Sequence, residues 1–100
     1  MVGGFTLEVQ VYHHSVPVPN ALVLLKEEVD DFPGKSLEIY DFSSRCDING
    51  KCTIDGIFPG NHWVYGVGFD GIDSVFGNTS VYMDPRDTDG RSKLILLVSE

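Results

Sequence analysis

The sequence predicts an all-β protein, a Greek-key β-sandwich of about seven short strands. Three observations carry that expectation. Apolar residues recur at every second position, clusters of Pro, Gly, Asn and Asp punctuate the chain about every ten residues, and no stretch has helical periodicity. At 100 residues the chain fits one domain, residues 1–100, with a core that is adequate rather than generous.

The elements follow in order. F-T-L-E-V-Q-V-Y, from Phe5 to Tyr12, alternates strictly, with Phe5, Leu7, Val9 and Val11 on one face, so it reads as a half-buried strand. His13, His14 and Ser15 interrupt it, and Pro17 and Pro19 cannot donate to a ladder, so V-P-V-P-N reads as a connection across the sandwich edge. Ala21 to Lys26 is too brief for a helix and reads as a central strand. Glu27 to Ser36 carries four acids and the Pro33-Gly34 turn pair and is expected to be a solvated loop. Leu37 to Phe42 alternates apolar and acidic residues and is expected to be a strand running into a hairpin. His62 to Phe69 is rich in strand formers, and its Gly66 and Gly68 point to close backbone approach or a bulge. Ser74 to Met83 contains Gly77-Asn78, which predicts either two short strands or one bulged strand. Asp84 to Arg91 is a turn cluster, and Lys93 to Val98 closes the body as a buried strand.

The most specified local feature is the turn after Cys46. Asp47 opens a type I turn and Asn49-Gly50 supplies the residue that needs positive φ, a recipe for a three-residue hairpin loop with a bulge. That register pairs Asp47 with Lys51 and sets Cys46 opposite Cys52, where a disulfide is geometrically reasonable. Two buried free thiols and half of a metal site are the competing readings. A bridge would imply an oxidising, extracytoplasmic compartment: periplasm, outer-membrane surface or secretion. Its short loop would be worth only about 2 kcal/mol by chain entropy, with register as the main effect.

Charge excludes one class of partner. Seven basic against fifteen acidic residues give a formal charge of -8, which repels phosphate backbones, so no nucleic acid is expected. No run of about 18 apolar residues predicts a membrane span. Met1 to Gly4 is open to reading as a cloning remnant, which would place any export signal or lipid anchor upstream.

The motifs V-P-V-P-N-A-L-V-L-L (16–25), D-I-N-G-K (47–51) and I-D-G-I-F-P-G-N-H (54–62) together resemble carboxypeptidase regulatory-like domains and the related B-repeats of surface adhesins. The resemblance spans residues 5–70 and extends to small cell-envelope lipoproteins of gut Bacteroidetes. It implies a prealbumin-like or Ig-like sandwich without catalysis, serving as a structural or interaction module with a protein or glycan partner in the envelope. Asn20, the two cysteines and His62 depart from the family pattern. Adhesin repeats can carry a Lys-to-Asn isopeptide bond, but the first strand here has no Lys and the last no Asn or Asp.

Catalysis has no visible carrier, and neither a cofactor nor a metal is expected. The transthyretin-like hydrolases share the architecture, yet their C-terminal Tyr-Arg-Gly-Ser motif is absent from L-L-V-S-E. His13 and His14 read as solvated residues, since neighbours on a strand point to opposite faces and would serve one metal poorly, and His62 reads as a partly buried packing residue. Asp30-Asp31 and Asp84, Asp87 and Asp89 do not fit an EF-hand. The one feature with binding content is aromatic. Trp63, Tyr65 and Phe69 share a face with Val67, and size alone would turn that face to the core. The family register instead puts 62, 64 and 66 inside and leaves the three aromatics outward as a platform for a carbohydrate or peptide.

Overall fold

The computed structural model describes residues 4–87 and 89–100. Eight strands form two four-stranded sheets: β1 (Phe5–His13), β2 (Val16–Pro17), β3 (Leu22–Glu27), β4 (Phe42–Arg45), β5 (Lys51–Ile57), β6 (Gly60–Asp70), β7 (Asp73–Met83) and β8 (Arg91–Leu97). In the first sheet β1 pairs antiparallel with β5 and β2, and parallel with β8. The second has the order β4-β3-β6-β7, antiparallel throughout.

The core lies between the sheets, and the β1 alternation holds through it. Phe5, Leu7, Val9 and Val11 are buried against Val23, Leu25, Val64, Val75 and Leu96. Opposite β1, β5 carries one extra residue: Phe5 pairs with Ile57 and Leu7 with Ile54, and Gly56 takes the positive φ of 77° that such a bulge favours.

Four expectations are corrected. Leu37 to Phe42 is not a strand: Leu37–Ile39 make one 3₁₀ turn and pairing begins only at Phe42. The residues before it wrap over the second sheet, where the Phe32 and Tyr40 rings lie 5.4 and 5.8 Å from that of Tyr65. Cys46 to Cys52 is a crossover and not a hairpin, because β4 belongs to the second sheet and β5 to the first. The turn chemistry is as expected, but it changes sheets. Gly77-Asn78 neither splits nor bulges β7, whose register with β6 runs unbroken from Ser74 to Met83. Gly77 is instead where the C-terminal segment passes: a Cβ there would sit 2.3 Å from the Leu97 carbonyl oxygen, and Phe76 exchanges backbone hydrogen bonds with Ser99.

The fourth concerns β6. His62, Val64 and Gly66 face the core, against the expectation from residue size. The inner face looks empty in the sequence because its glycines are filled from across the sandwich. A Cβ on Gly66 would meet Leu96 Cδ2 at 2.5 Å, and one on Gly68 would meet Val18 Cγ1 at 2.9 Å. Gly66 and Gly68 thus mark the close approach that strand glycines signal.

Candidate functional site

Three places hold the residues that the sequence singles out. The first is the corner between the sheets. Asp47 Oδ1 accepts the N–H groups of Asn49 and Lys51 at 2.8 and 3.0 Å, and Gly50 N–H donates to the Asp47 carbonyl at 3.1 Å. Gly50 has φ 74°, and its missing Cβ lets the Val11 carbonyl approach. Hydrogen bonds from the Lys51 and Asn49 backbone hold the Asp47 carboxyl below the usual carboxylate range.

This turn brings the cysteines together as two free thiols, Cys46 buried and Cys52 half-buried, where the sequence predicts a bridge. Cys46 donates to Cys52, and that hydrogen bond together with burial pushes the Cys46 thiol up. Cys52 accepts from Cys46 and, more weakly, Ser44, and is lowered. Of the two thiols, Cys52 is the more accessible. Cys52 also lines a hollow of about 460 Å³ with Asp47, Lys51 and Lys93. Cys46 follows a strand of one sheet and Cys52 lies in a strand of the other, so a bond between their sulfurs would tie the layers together.

The second place is the outer face of β6. Trp63, Tyr65 and Phe69 point away from the core, but they do not form a continuous platform. Trp63 is half-buried with its indole N–H donated to Asn78 Oδ1 at 2.9 Å. Tyr65 is 4% exposed, roofed by Phe32 and Tyr40. The roof is itself pinned, since Tyr40 Oη donates to the Gly34 carbonyl at 2.7 Å, and burial with Tyr65 alongside pushes the Tyr40 hydroxyl up to about 12. Phe69 alone is open, at 63% exposure. It borders a hollow of about 580 Å³ with Leu22, Val67 and Arg45. No local signal announces that grouping, because only the β4-β3-β6 pairing assembles it.

The third group is the histidines. His62 is fully buried and both ring nitrogens are used: Glu28 N–H donates to Nδ1 at 3.1 Å, so Nε2–H donates to the Phe58 carbonyl at 2.6 Å. Its role is packing, as expected, but with complete burial and full hydrogen bonding. His13, expected in solvent, closes β1 and is buried, with Nδ1 2.7 Å from Asp70 Oδ2. Asp70 ends β6 eight residues beyond His62, about 26 Å away at strand rise, so His13 and His62 do not share a site.

Of the acidic clusters, Asp84 is paired with Arg86, whose Nε and Nη2 donate to it at 3.1 and 3.0 Å, and Asp87 Oδ1 accepts from Asp89 N–H. Thr88, between them, and Met1 to Gly3 lie outside the described residues. No helix among the described residues is long and apolar enough to cross a membrane. No family model matches the chain, and no curated protein matches it.

Proposed function

We propose that this chain is a non-catalytic β-sandwich module of the carboxypeptidase regulatory-like kind, a structural or protein-interaction domain of an extracytoplasmic cell-envelope protein. One observation carries the reading. His62, Val64 and Gly66 face inward, the register that the family resemblance implies and that residue size argues against. The resemblance brings with it Greek-key, prealbumin-like connectivity and an envelope setting. Facing thiols at the corner between the sheets fit an oxidising compartment, where they would close into a bridge. The interaction role draws support from the β6–β7 end, where Phe69 and Ile72 stand at 63% and 96% exposure. Apolar side chains this exposed, beside a hollow, suit a partner surface.

The test is fractionation of the producing cells, with thiol titration of the protein unfolded without reductant. Recovery in the envelope or secreted fraction, with no free thiol, is expected. Recovery in the cytosol with two free thiols would contradict the proposal.

A second reading keeps the binding class but moves its centre. The Phe69, Leu22, Val67 and Arg45 hollow would take a peptide or sugar, with Trp63 six residues back along β6 outside it and Tyr65 beneath the roof. Phe69→Ala should then abolish binding to a glycan or peptide library. If binding survived Phe69→Ala and was lost with Trp63→Ala, the hollow would not be the site.

A further inference from the structure

We propose that His13 Nε2, a ring nitrogen of His14 and the Glu100 carboxylate bind one first-row divalent metal ion, Zn²⁺ in the first instance, with Asp70 orienting His13 from behind. The ligand atoms of these three residues all lie within 4.8 Å of one another. His13 is 4% exposed, and among the described residues its Nε2 has no hydrogen-bond partner, the nearest carboxylate oxygen being Glu100 Oε1 at 3.7 Å. A buried imidazole nitrogen without a partner is costly, and such groups in native proteins call for an explanation.

The other side of the ring supplies one. Asp70 Oδ2 lies 2.7 Å from Nδ1, so the carboxylate holds the proton there and leaves the Nε2 lone pair facing His14 and Glu100. A carboxylate behind a ligating histidine fixes its tautomer and raises its basicity in many metal sites.

Adjacency of the two histidines is not the obstacle that strand geometry suggests. Tyr12 pairs with Pro17 and His13 with Val16, so His14 and Ser15 are the two-residue loop of a tight hairpin, both at positive φ (51° and 66°). The chain reverses at His14, which brings its ring to 4.2 Å, centroid to centroid, from that of His13. Glu100 arrives from a third direction, after Val98 N–H has bonded the Tyr12 carbonyl and Ser99 has paired with Phe76. In tetrahedral zinc sites the bonds are about 2.0–2.1 Å, which sets ligands about 3.3 Å apart. His13 and Glu100 are close to that already, and His14 and Glu100 are both exposed and free to close the rest.

Two imidazoles and one carboxylate select zinc or its late first-row neighbours over calcium and magnesium, which prefer all-oxygen shells. Three protein ligands leave a fourth position for water or a partner's side chain. The ion would tie the hairpin between β1 and β2 to the segment after β8, which Ser99 also holds to Phe76 of the second sheet.

The test is calorimetric titration of the full chain with Zn²⁺ under reducing conditions. One Zn²⁺ per chain is expected. His14→Gly, which suits the positive φ, and Glu100→Gln should each weaken binding about tenfold or more, and Asp70→Asn about 10- to 100-fold. A Cys46→Ser/Cys52→Ser variant should bind as the parent does. Absence of saturable binding would overturn the proposal. So would binding unchanged in both His14→Gly and Glu100→Gln, or binding lost with the cysteines.

Discussion

Strand β6 runs between two buried histidine sites that use the same side chain in opposite ways. At its start, His62 is sealed: Glu28 N–H and the Phe58 carbonyl occupy both ring nitrogens. At its end, Asp70 occupies one nitrogen of His13 and leaves the other, beside His14 and Glu100, without a hydrogen-bond partner among the described residues. Burial alone therefore does not make a histidine structural. A ring satisfied on both sides has no remaining valence for a ligand, whereas a ring satisfied on one side by a carboxylate is prepared for one.

The largest effect that sharpens this contrast is on stability. His62→Ala should cost about 3 to 5 kcal/mol, because it leaves a cavity and strands the Glu28 N–H and the Phe58 carbonyl without partners. His13→Ala also leaves a cavity but should cost less, about 1 to 3 kcal/mol, since Asp70, its hydrogen-bond partner among the described residues, is half exposed and rehydrates. Urea denaturation measures both, and equal losses would break the comparison.

Next in size is Gly77→Ala. Its Cβ meets backbone at Leu97 and Val98, which cannot yield as a side chain can, so a loss of about 1 to 3 kcal/mol is expected. Because the displaced segment carries Glu100, zinc affinity should fall with it. Gly66→Ala meets only the end of the Leu96 side chain and should leave zinc affinity unchanged. Thermal melts with and without Zn²⁺ separate the two variants.

A smaller effect concerns the corner between the sheets, distant from both histidines in role. In the reduced protein Cys52, half-buried and lowered by the hydrogen bonds it accepts, should alkylate before Cys46, which is buried and raised. Peptide mapping after brief iodoacetamide treatment at mildly alkaline pH reads this out. Equal labelling would contradict that order.

The smallest expected effect is at Asp47. Its folded carboxyl is depressed, so its contribution is present above the unfolded value of roughly 3.9 and is lost as pH falls through the folded one. Asp47→Ala should therefore destabilise at neutral pH and converge with the parent in strong acid. Denaturation midpoints at the two pH values check the sign.

The sequence made much of this fold legible where a pattern is local. β1 declares itself by alternation, β3 by a short apolar run after Pro19-Asn20, and the Asp47 to Gly50 turn by its residue types. What stayed hidden depends on contacts across the sandwich. Gly66 and Gly68 make the inner face of β6 look empty, yet Leu96, Val18 and Ala21 fill it. Trp63, Tyr65 and Phe69 look like core, yet they face outward and a separate loop supplies the roof over Tyr65. The Cys46 to Cys52 recipe specifies a turn but not that its two arms join different sheets. His14-Ser15 lacks the Asn-Gly signal of a tight hairpin turn, so nothing local announces the chain reversal that brings His14 onto His13. Asp70 and Glu100 join them only through the pairing of the second sheet and the path of the chain after β8.

The contrast between the two histidines is tested most directly by long-range proton–nitrogen NMR of the imidazole rings, recorded before and after one equivalent of Zn²⁺. His62 should carry its proton on Nε2 and not respond. His13 should carry its proton on Nδ1, with the Nε2 resonance moving on addition of the metal. A His62 ring that shifts with zinc, or a His13 ring that carries its proton on Nε2 and stays unmoved, would contradict the account.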